Sequence, residues 1–179
     1  MAALLLLGCL FGTLSGAVPI TPNSSLTFNG VSYTERFSKG DHHQLTPRGQ
    51  KVLEKRIDLL TIVHHRSVKT KEALASLAKE MLSEFAAQKA VMIKTATVPM
   101  TPSHPPEFLL VAALTKAELF EVIFTRLTLT NEGAVVVSFS HREKGRNAGH
   151  QMDAWMTKTA ALTEHALLTW QEIPPPSSR

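Results

Sequence analysis

Hydrophobic side chains along this chain fall into short blocks with two different periods. Residues 26–37 alternate apolar and polar positions around Asn29-Gly30, with Phe28, Val31, Tyr33 and Phe37 available for burial, which predicts a short strand or hairpin. Gly40-Asp41-His42-His43 reads as a loop. Thr46-Pro47 is a helix-start signal, with Thr as the cap and Pro at the first helical position. Val52, Leu53, Ile57, Leu60 and Val63 follow at helical spacing, so a first helix is expected to about His64. A second helix is predicted over residues 70–88. Its buried stripe is Leu74, Leu77, Ala78, Met81, Leu82 and Phe85, and Lys71, Lys79, Glu80 and Glu84 face water.

Residues 90–98 carry Val91, Ile93 and Val98 without helix caps and read as a strand. The proline-rich stretch 99–106 is a stiff loop, because proline removes backbone donors and restricts the residue before it. The apolar run 108–114 matches a strand buried on both faces. Thr115 can cap a third helix through Glu118, Leu119, Val122, Ile123 and Leu127. Asn131-Glu132-Gly133 makes a turn, and residues 134–140 form another strand. A basic loop, 140–146, leads to Asn147 as the cap of a last helix with Met152, Trp155, Met156, Leu162, Ala166, Leu167 and Trp170 on its buried stripe. The resulting order, β-α-α-β-β-α-β-α, contains the β-α-β-β-α-β string of a ferredoxin-like α+β sandwich, an antiparallel or mixed sheet packed by helices. A single domain over residues 26–171 is expected.

The ends of the chain change this picture. Residues 1–17 hold no charged side chain, carry an apolar run too short to cross a bilayer, and end in Ser15-Gly16-Ala17. They read as a signal peptide, and the product as secreted and extracellular. A second reading takes Leu6-Leu7-Gly8-Cys9 as a lipoprotein box. Residues 18–25 form an extended arm with the acceptor sequence Asn23-Ser24-Ser25, so Asn23 is a glycosylation candidate. Residues 172–179 read as a disordered tail. Cys9 is the only cysteine, and its removal with the signal excludes disulfides and thiol chemistry from the mature protein. No later segment reaches transmembrane length.

A net charge of +4 favours anionic ligands or surfaces, including anionic glycans. Nucleic acid is not expected as a partner, because aromatic residues do not interleave with the basic ones. The eight histidines lack metal-ligand spacing, so neither a metal nor a cofactor is expected. Gln44-Leu45-Thr46-Pro47-Arg48-Gly49 resembles a segment of histidine acid phosphatases, but the chain contains no Arg-His-Gly run and that chemistry is excluded. Nucleotide-binding glycine loops and a Gly-x-Ser-x-Gly elbow are also missing. The sharpest candidate is the basic strand-to-helix connection. His141, Arg142, Lys144, Arg146, Asn147 and His150 precede or open a helix whose N-terminus favours an anion. Two function classes follow: a secreted binding or interaction module for an anionic ligand or surface, or a small secreted hydrolase or lyase. The second would use His141 or His150 as general acid or base, with Arg142 or Arg146 holding an anionic substrate. Expression in a eukaryotic secretory host is expected to release a protein beginning at Val18; N-terminal sequencing that returns Met1, or an acylated Cys9, contradicts the signal-peptide reading.

Overall fold

The computed structural model describes residues 25–98, 106–171 and 173–174. The expected signal segment, Asn23, most of the proline-rich stretch 99–106 and most of the tail lie outside these. In chain order the elements are β1 (Ser25–Phe28), β2 (Val31–Lys39), β3 (His42–Pro47), β4 (Asp58–His65), α1 (Lys71–Ala87), β5 (Val91–Val98), β6 (Glu107–Lys116), β7 (Leu119–Thr130), β8 (Gly133–Lys144) and α2 (Ala148–Thr169). The strands form one antiparallel sheet in the order β1-β2-β3-β4-β8-β7-β6-β5.

This corrects the ferredoxin-like expectation. Residues 46–64 do not form a helix. Thr46 and Pro47 end β3, a short 3-10 turn spans Leu53–Lys55, and β4 follows. The expected helix from Thr115 is instead the end of β6 and most of β7. The first misreading joined Val52 and Ile57, exposed residues of the connection, to the buried strand residues of β4; the second has a different cause. The central strands are buried on both faces, so their apolar residues run nearly without interruption, and any such run contains residues at helical spacing. In β7, Val122 and Phe124 face one side while Ile123 and Leu127 face the other, and all four are buried. The β-branched and aromatic content of Phe120, Val122, Ile123, Phe124 and Thr125 favours the strand.

The two helices take opposite faces. Leu74, Leu77, Ala78, Met81 and Phe85 of α1 pack on Leu110, Ala112, Leu114, Ile123, Leu127, Ala134 and Val136. Thr70 caps this helix by accepting from the Ala73 N–H at 3.2 Å. Met152 and Leu167 of α2, with Trp170, pack on Leu109, Val111, Val122, Phe124, Val135, Val137 and Phe139. Both outer strands reach α2. Trp170 donates its indole N–H to the Thr27 carbonyl of β1 at 3.1 Å, and Lys94 of β5 pairs with Glu164 at 2.5 Å. Edges separated by six strands can touch one helix only if the sheet curves around it, so α2 occupies a concave face and α1 the convex one.

At the C-terminal end of α2, Arg126 of β7 enters the core and donates to the carbonyls of Leu167 (2.8 Å) and Trp170 (2.9 Å). The same guanidinium makes a bidentate pair with Glu107 at 3.0 and 2.5 Å, and Thr128 donates to Glu107 at 3.2 Å. All three side chains are buried. Gly133 begins β8 at φ +128°, and a Cβ there would lie 2.6 Å from the His65 carbonyl oxygen. That close approach is open only to glycine.

Arg126→Met is expected to lower unfolding free energy by about 3–5 kcal/mol in urea denaturation, because it leaves the Glu107 carboxylate buried without its partner. Adding Glu107→Gln should recover part of that loss. Equal losses in the single and double variants would mean that the pairing contributes nothing.

Candidate functional site

The basic connection is not one loop. Strand β8 runs on to Lys144, so His141 and Arg142 are consecutive strand residues and face opposite sides of the sheet. His141 points to the concave face. Its Nδ1 lies 2.7 Å from an Asp58 oxygen, its Nε2 lies 3.1 Å from Glu143, and its ring stacks on Trp155 with centroids 4.1 Å apart and planes 4° from parallel. Both ring nitrogens thus face carboxylates, and only a ring carrying a proton on each nitrogen donates to both. Arg142 points to the convex face, where its Nη2 lies 2.8 Å from a Glu121 oxygen.

The other four candidates remain at the surface. Lys144, Arg146, Asn147 and His150 are exposed around the start of α2. Gly145 turns the chain at φ +98°, with open space at its Cβ position. Its N–H donates to the Glu118 carbonyl and its carbonyl accepts from Ala148. Asn147 precedes α2 as expected but caps it with no side-chain hydrogen bond, and the first turn of α2 holds no acidic residue. The connection therefore divides into a buried half, His141 and Arg142, and an exposed cationic half at a helix N-terminus.

The first four histidines of the described chain are also placed differently from their expected positions in loops and at helix ends. His42 and His43 open β3, and His64 and His65 close β4. His43 and His64 bring their rings within 6.4 Å on the concave face. Glu35 holds His43 Nδ1 at 2.6 Å. The Nε2 atom of each of the four is buried without a hydrogen-bond partner. Among the described residues no group of three metal-ligating side chains could hold an ion. Burial holds His42, His64 and His65 below the ordinary imidazole range. For His42 the neighbouring His43 adds to the effect, whereas Asp41 opposes it at His64 and Glu80 opposes it at His65.

Sequence reasoning missed Glu107, Glu121, Arg126, Arg56 and Asp58. A usable signal existed, because each is a charge within or beside an apolar run, and a charge in a doubly buried strand must be paired. No helix among the described residues is long and apolar enough to cross a membrane. No family model matches the chain, and a search of characterised proteins returns no significant match.

His42, His64 and His65 give stability a sign with pH. Their folded-state values lie below that of the unfolded imidazole, about 6.5, so the unfolded chain binds protons first as pH falls. Stability present above that pH should decline below it. The melting temperature is expected to drop between about pH 7.5 and about pH 5.5, and His64→Gln should make the drop shallower; an unchanged melting temperature would contradict the reading.

Proposed function

We propose that this chain is an exported, non-catalytic binding module whose surface around the start of α2 engages an anionic glycan. The observation that carries the reading is the exposure of Lys144, Arg146 and His150 around a helix N-terminus that has no acid in its first turn and no side-chain cap. Free N–H groups and the positive end of the helix dipole add to the side-chain charges there. Gly145 leaves room for a ligand to approach the backbone. The net positive charge of the whole chain acts in the same direction by attracting polyanions. The hydrolase or lyase reading draws less support, because both nitrogens of its best candidate base, His141, are taken by Asp58 and Glu143.

The test is a titration with a sulfated oligosaccharide, read by calorimetry. Saturable binding is expected, weakening as sodium chloride rises. The double variant Lys144→Gln/Arg146→Gln should bind at least about tenfold more weakly, since each lost charge contact removes a fraction of a kcal/mol or more. Equal affinity of the two proteins would remove this surface from the function.

A further inference from the structure

The charges buried on the convex face are unevenly matched. Glu121 and Arg142 are direct neighbours across β7 and β8, with Arg142 Nη2 2.8 Å from Glu121 Oε2. Arg56, two residues before β4, places its own Nη2 3.8 Å from the other oxygen of the same carboxylate. Glu121, Arg142 and Arg56 are only 1%, 5% and 7% exposed. Two guanidinium groups against one carboxylate leave a formal charge of +1 inside the protein. Glu54, whose charge also reaches Arg56, is exposed to water.

The hydrogen bonds are short of acceptors in the same place. Arg56 donates from Nη1 to the Leu53 carbonyl at 2.9 Å. Arg56 Nε, Arg142 Nε and Nη2, and the Ser140 hydroxyl have no aligned hydrogen-bond partner, although all are shielded from water. Ser140 precedes Arg142 by two residues on β8 and therefore faces the same side. The two Glu121 oxygens are themselves misaligned with the guanidiniums. However that carboxylate is turned, one negative charge cannot offset two guanidiniums, and the surplus charge stays. Burial, followed by the repulsion of Arg142, pushes the Arg56 guanidinium down to about 10 against the pull of Glu121 and Glu54.

An isolated buried positive charge with unmet donors is costly, and groups of this kind in folded proteins are ordinarily paired or hold an ion. We infer that Arg56, Arg142 and Ser140 form a binding site for a small oxyanion, with Glu121 fixing the two guanidiniums. A phosphate, sulfate or carboxylate supplies the acceptor oxygens that two planar forks require, and its charge offsets the surplus. Burial restricts the ligand to a small anion and excludes a glycan chain. The site is independent of the surface around Lys144 and Arg146, because Arg142 turns inward.

Thermal denaturation of the purified chain in sodium chloride, with inorganic phosphate, sulfate or acetate added at matched ionic strength, tests the inference. At least one oxyanion should raise the melting temperature saturably by several degrees beyond chloride, through mass action on the folded state. Phosphate or sulfate acting alone marks a tetrahedral ligand, and acetate acting alone marks a carboxylate. Lys144→Gln/Arg146→Gln should retain the gain. Arg56→Met should lose it while staying folded, since Glu121 and Arg142 then form a matched pair. Ser140→Ala, a milder change, should move the titration midpoint at least about threefold to higher concentration, as loss of one hydrogen bond to an anion implies. The inference is overturned if no oxyanion exceeds chloride, if Arg56→Met keeps the gain, if Ser140→Ala leaves the midpoint unchanged, or if the surface variant abolishes the response.

Discussion

A single guanidinium connects the two parts of this molecule that must agree with each other, the curved sheet and the helix it surrounds. Arg126 extends from the middle of the sheet to the last turn of α2, where backbone carbonyls have no partners within the helix. Its charge suits the negative end of the helix dipole. Burial of that charge is tolerable because Glu107, on the adjacent strand, meets it with both oxygens and is itself held by Thr128. The axial position of α2 follows from this contact, and with it the placement of Trp170 against Phe28, whose rings lie 5.4 Å apart.

The same rule recurs wherever a charge enters the sheet. Asp58 and Glu143 flank His141 on the concave side, and Glu121 meets Arg142 on the convex side. Two of these residues, His141 and Arg142, are neighbours in sequence yet belong to different environments, because strand residues alternate between faces. A sheet covered on both sides turns one basic dipeptide into two separate interior contacts. What remains of the basic stretch is displayed where β8 ends and α2 begins.

Legibility in the sequence tracks how local each signal is. Helix α1 was readable to within a residue, because Thr70 caps it and its stripe is separated from a polar face. The hairpin at Asn29-Gly30 was readable because those residues adopt positive φ, 48° and 74°. The hairpin between β6 and β7 was not. Its connection places Ala117 at φ 53°, with neither glycine nor asparagine to mark the turn, so the following strand reads as a helix capped by Thr115. Thr46-Pro47 misled in a related way. The Thr46 hydroxyl donates to the Gln50 carbonyl and Pro47 ends a strand opposite Tyr33, so the same two letters serve a turn. For the candidate site, the exposed residues were legible from charge alone. The burial of His141 and Arg142 depended on whether β8 continued past Ser140, which only long-range pairing with β4 and β7 decides.

The order of elements has a consequence for synthesis. All eight described strands precede α2 in the chain, so the concave face is complete, in sequence, before the helix that fills it exists. A nascent chain that has reached Lys144 presents Phe124, Val137 and Phe139 on an open apolar surface, and the next 22 helical residues must emerge before that surface is covered. Strand pairing across the centre joins β4 to β8, with α1 and three strands between them in sequence, a non-local contact that forms slowly. The interval between translation of the last strand and docking of the last helix is therefore when this chain is most open to association with other chains or with a chaperone.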